Sequence, residues 1–127
     1  MDCDTHQPFT GRRLLIVEDE FLIALELKRI IEELGGSVIG PVGSVESALQ
    51  LLSNTTADAA LLDVNLRERR LMPVAEACQA KGIPFALVTA YGRLELDQPL
   101  LQSAPRVHKP FDRRTIRTVL TVLLKCD

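Results

Sequence analysis

Tryptophan is missing from this 127-residue sequence, and with one tyrosine, four phenylalanines and two methionines, all scattered, there is no material for an aromatic or methionine-lined cofactor box. No apolar run approaches the roughly 20 residues needed to span a bilayer. The first residues, MDCDTHQPFTG, carry acidic side chains and no apolar core segment, so they do not read as a secretory signal. Cysteine is scarce too: Cys3, Cys78 and Cys126 are an odd number with no CxxC or zinc spacing, which suits a reducing cytoplasm better than a disulfide framework. A net charge of −2 gives no general electrostatic reason to bind nucleic acid. Internal repeats, low-complexity tracts, GxGxxG and GxxxxGK are all absent.

What remains is a mixture of 46% hydrophobic and 25% charged residues, long enough for one domain that buries its core without staples. Residues 1–11 read as a disordered tail and 12–127 as the domain. Short apolar runs alternate with helical patterns. Leu14–Val17 precedes Ile23, Leu27, Ile30, Ile31 and Leu34 at helical spacing, with Gly35-Gly36 as a stop. Ser37–Val42 is a second run, followed by a helix capped by Ser44. Ala59–Leu62 ends at Asp63, and a helix is expected from Pro73 to about Ala80, stopped by Gly82. Phe85–Val88 ends at Thr89; Arg106–His108 is a short fifth run, and Asp112 caps a last helix. Between the last two runs, Pro99 and Pro105 predict a fourth helix that is short, broken or partly unwound. Strands apolar throughout and separated by helices imply a parallel sheet covered on both faces.

In such a sheet, ligands bind outside the carboxyl ends of the strands. Glu18, Asp19 and Glu20 follow the first strand, Asp63 ends the third, Thr89 the fourth and Lys109 the fifth, so all converge on one rim. Adjacent carboxylates repel, and a divalent ion with oxygen preference, typically Mg²⁺, converts that repulsion into coordination. An aspartate beside it can act as a nucleophile toward phosphorus, with a lysine and a hydroxyl to carry the phosphoryl charge.

The stretches VEDE, LLDVN, VTAYG and HKPF, in this order and each at a strand end, resemble the receiver domain of bacterial two-component response regulators over essentially Arg12 to Leu124. The resemblance implies a flavodoxin-like (βα)5 three-layer sandwich with a parallel five-stranded sheet in the order 2-1-3-4-5. It also implies Asp63 as phosphoacceptor, Mg²⁺ held by Glu18, Asp19, Asp63 and the Asn65 carbonyl, Thr89 and Lys109 against the phosphoryl group, and a cis Lys109–Pro110 bond. The expected protein is a cytoplasmic, single-domain regulator phosphorylated by a sensor histidine kinase or a histidine phosphotransfer protein, as in a phosphorelay. It catalyses only its own phosphorylation and dephosphorylation, acts through a downstream protein partner, and has helix surfaces that could support a homodimer. PFALVTAYG, Pro84 to Gly92, is similar to the PFxxTGYG-like motif of an alphaproteobacterial subgroup, with Ala90 where glycine is frequent.

Two departures bear on mechanism. Arg106 stands where receivers usually carry an aromatic switch residue, which directs attention to Tyr91 and residues 93–105 as the movable parts. LRERR, Leu66–Arg70, puts three arginines in the expected loop after Asp63, where they could screen phosphate or meet an acidic patch on a kinase. Asn65 and Tyr91 flank the path of hydrolytic water in related domains. Two other functions compete: a phosphorylation-independent docking module, and a flavin- or nucleotide-binding flavodoxin-like protein. The acidic loop after the first strand opposes the latter, since such proteins cradle phosphate there with backbone N–H groups and small residues.

Overall fold

The computed structural model describes residues 6–64, 68–90 and 98–125, with residues 68–70 by backbone alone. Strands and helices alternate: β1 Arg13–Val17, α1 Phe21–Glu33, β2 Ser37–Val42, α2 Val45–Asn54, β3 Ala59–Asp63, α3 Glu68–Ala80, β4 Phe85–Thr89, α4 Pro99–Gln102, β5 Arg106–His108 and α5 Arg113–Leu124. The sheet is parallel, in the expected order β2-β1-β3-β4-β5. Among the described residues no helix is long and apolar enough to cross a membrane.

The continuous aliphatic runs are explained by two cores, one on each face. Side chains alternate along a strand, so Leu15, Val17, Leu62 and Leu87 pack with Leu52, Val74 and Cys78 from α2 and α3. Leu14, Ile16, Leu61 and Val88 pack on the opposite face with Leu27, Ile31, Ile116 and Leu120 from α1 and α5. The helix boundaries follow local chemistry. Ser44 Oγ accepts from the Ser47 N–H (3.1 Å) at the start of α2, and Asp112 Oδ1 accepts from the Thr115 N–H (2.8 Å) at the start of α5. At the end of α1 the Gly36 N–H donates to the Ile31 carbonyl and the Gly35 N–H to that of Glu32, a Schellman closure that needs Gly35 at φ 93°. α4 is a single short turn of helix that opens on Pro99 and is followed by Pro105, short as expected.

Two expectations are corrected, and the register of β2 adds a feature that no expectation addressed. The tail is not unstructured throughout residues 1–11: Phe9 is fully buried in the core beside α1 and its N–H donates to the Leu34 carbonyl at 3.0 Å. Burial of one large aromatic and its hydrogen bond outweighs the ordering entropy of a short segment. α3 starts at Glu68 rather than Pro73, which therefore sits inside the helix, and the backbone of residues 68–70 is helical rather than loop. The β1–β2 register slips by one residue, Leu15 facing Ile39 but Val17 facing Val42, a bulge made at Gly40 (φ 93°).

Candidate functional site

Burial brings the acidic residues together. β1 runs inside the sheet until Val17, and the next residue, Glu18, is still buried; its N–H donates to the Val42 carbonyl at 2.8 Å, which extends the ladder one residue beyond the strand. The Glu20 N–H in turn donates to Glu18 Oε2 at 3.1 Å, folding the acidic loop over its own first side chain. β3 lies next to β1 and ends at buried Asp63. Carboxylate oxygens of Glu18, Asp19 and Asp63 lie within 4.8 Å of one another, Asp19 being the exposed member.

β4 and β5 complete the rim. Thr89 is buried at the end of β4, and its carbonyl accepts the Lys109 N–H at 2.8 Å, so the lysine leaves the sheet beside it. Lys109 Nζ reaches back over β4 to 3.2 Å from Glu18 Oε1 and 3.6 Å from Asp63 Oδ1. The Lys109–Pro110 peptide is cis, as the resemblance implied. Of the sequence-predicted site residues, Glu18, Asp19, Asp63 and Lys109 therefore meet, with Thr89 alongside. Arg106 does not join them: it opens β5 opposite Leu87, three residues upstream, and is half-buried. Asn65 and Tyr91 lie outside the described residues.

The electrostatics favour a cation. Burial pushes the Glu18 carboxyl up to about 8, reinforced by the hydrogen bond its protonated form makes with Asp63 and by the Asp63 charge, against the opposing pull of the Glu20 N–H and Lys109. Glu18 Oε1 and Lys109 Nζ make no aligned hydrogen bond even at 3.2 Å. One ammonium thus stands beside two of three clustered carboxylates, and the surplus negative charge favours a proton on Glu18 or a bound cation. The donor set is oxygen only and anionic, which fits a hard divalent cation such as Mg²⁺.

Sequence reasoning missed Gly43. A Cβ there would come within 3.3 Å of Asp19 Cα and 3.6 Å of the Glu18 carbonyl, so the β2–α2 connection lies close against the acidic loop and a side chain would push the loop by a few tenths of an ångström. Nothing in GPVGS marks this, because a glycine before a capping serine reads as an ordinary turn.

The model of the family described as response regulator receiver domain matches residues 14–121. Transcriptional regulatory protein PdtaR of Mycobacterium tuberculosis is 31% identical over 96 residues, 75% of this chain and 45% of PdtaR. Phyllosphere-induced regulator PhyR of Methylorubrum extorquens is 29% identical over 114 residues, 87% of this chain and 43% of its own. The chain thus spans less than half the length of these curated relatives. The solution structure of the BeF3-activated conformation of SdrG from Pseudomonas melonis Fr1 superposes with a TM-score of 0.76 at 39% identity, covering 88% of this chain and 95% of that one.

Proposed function

This chain belongs to the response regulator receiver domain family, and on that premise we propose that it accepts a phosphoryl group from a phosphohistidine onto Asp63 and signals through a phosphorylation-dependent protein interaction. The observation that carries this reading is the meeting of Glu18, Asp19 and Asp63 beside Lys109 at the carboxyl ends of the strands. An Asp63 oxygen attacks phosphorus in line; the Oδ–P bond forms as the P–N bond breaks, and the electron pair stays on the donor imidazole. Lys109, now 3.6 Å from Asp63 Oδ1, carries charge on the phosphoryl oxygens, and the Thr89 hydroxyl donates to one of them. Glu18, Asp19 and Asp63 would hold Mg²⁺ with the Asn65 carbonyl. When bound, the ion would neutralise charge developing on the transferring phosphoryl group. Hydrolysis reverses the modification, so the domain catalyses only its own turnover.

The donor is a sensor histidine kinase or a histidine phosphotransfer protein in a phosphorelay, and the work is cytoplasmic. PFALVTAYG supports membership of the alphaproteobacterial subgroup. Phe21, Leu22 and Leu25 are exposed at the start of α1 beside the acidic loop and provide apolar surface for a partner or a second copy. With Arg106 in place of the aromatic, we assign signalling to Tyr91 and residues 93–105. Unchanged backbone shifts there on adding Mg²⁺ and beryllofluoride would exclude that route.

The decisive measurement is intact mass after incubation with a small phosphodonor and Mg²⁺. A phosphoryl gain is expected, absent in Asp63→Asn and after chelation. No gain under conditions that label a control receiver would favour the phosphorylation-independent docking module, for which the atypical Arg106 leaves room.

A further inference from the structure

At the opposite end of the sheet from the acidic cluster lies a cavity of about 510 Å³. It opens among the amino ends of β3, β4 and β5, the end of α4 and the end of α5. Its size is that of a small-molecule site, roughly 300–1,000 Å³. The floor is apolar for a definite reason. Pro84 and Pro105 precede β4 and β5 and carry no N–H, and their carbonyls are occupied by the Ala60 N–H (3.0 Å) and the Leu87 N–H (2.8 Å). Ile83, Phe85, Leu123 and Leu124 add buried apolar surface.

The polar rim is charge-biased. Arg12 and Lys125 both line the cavity, and among the described residues neither is in an ion pair. Among the described residues the lining has one carboxylate, Asp58, whose Oδ2 accepts the Arg13 N–H at 2.7 Å. Gln79 and Ser103 supply neutral hydrogen-bonding groups at the mouth. A cavity with an apolar floor, rimmed among the described residues by two cations and one carboxylate, carries a net positive charge and matches one ligand class.

We propose that this cavity binds a small amphiphilic organic acid, its carboxylate between Arg12 and Lys125 and its apolar body on Pro84, Phe85 and Leu123. Leu100, Ser103 and Ala104 form one wall, so an occupant rests against α4 and links that element to the sheet. The site does not depend on Asp63 accepting phosphate.

The test titrates the full chain with octanoate and, separately, with octan-1-ol, following backbone amide shifts. Saturable octanoate shifts are expected at Arg12, Ile83, Leu100 and Lys125, with octanol roughly tenfold weaker because it lacks the charge-assisted contact. Arg12→Gln combined with Lys125→Gln, both on the partly or fully exposed rim, should weaken octanoate by about the same factor and leave octanol unchanged. Non-saturating shifts, shifts centred elsewhere, equal affinity for acid and alcohol, or indifference to the double substitution would each overturn the proposal. Repeating the titration on Asp63→Asn separates the two sites: octanoate binding should persist there whatever the outcome of phosphorylation.

Discussion

At the level of single residues, the acidic cluster has a pH signature. A glutamate in the unfolded chain releases its proton near 4.5, whereas Glu18 in the fold keeps it up to about 8. The contribution to stability is therefore fully present below pH 4.5 and is lost as pH rises through about 8. Thermal unfolding of chelator-treated protein should show a midpoint that falls across this window. Glu18→Gln should flatten that dependence, and Mg²⁺ in excess should restore stability at the alkaline end, where the cation takes the place of the proton. A midpoint that rises between pH 5 and 8 in the metal-free protein would contradict the burial argument. The residues themselves were legible: three acids after LLIV, with Asp63, Thr89 and Lys109 at later strand ends, announce one rim. Gly43 was not, because its constraint is a contact with Asp19 from another part of the chain.

Individual elements obey local signals where those signals are strong. Ser44, Asp112 and the Gly35-Gly36 pair bound their helices as their chemistry dictates. Pro73 misled because a proline suits a first turn, yet α3 begins five residues earlier and tolerates it inside. Leu71, Val74, Ala75 and Cys78 bury one face, and that packing outweighs one missing hydrogen bond. Since Pro73 is exposed, Pro73→Ala should restore the bond without loss of packing and stabilise the protein by on the order of 1–2 kcal/mol in urea titrations. Gly40 presents the opposite case. At φ 93°, with an added Cβ only 2.8 Å from the Val42 nitrogen, Gly40→Ala should destabilise by about 1–3 kcal/mol. Because β2 places the Val42 carbonyl on the Glu18 N–H, the same substitution should weaken Mg²⁺ binding, which isothermal titration would detect.

For the molecule as a whole, two hydrophobic cores sandwich the sheet, and the one beside α1 extends to residues before β1. Phe9 is fully buried there, and Gly35 is crowded by Gln7 and Thr10, so this segment belongs to the folded unit. Phe9→Ala should cost about 3–5 kcal/mol in chemical denaturation, as for other buried aromatics. An unchanged midpoint would mean that the segment adds nothing to the core.

By itself the sequence determined the alternation of strands and helices, the parallel sheet and the convergence of acids, threonine and lysine on its carboxyl edge, because those follow from local periodicity and from strand polarity. Only the tertiary structure decided that Lys109 sits beside Glu18 and Asp63, that Gly40 makes a bulge, that Gly43 packs closely against Asp19, that Phe9 is core, and that a cavity with an apolar floor opens at the far end. Each of these depends on which atoms from distant parts of the chain come into contact, and no pattern along the chain encodes a distance across it.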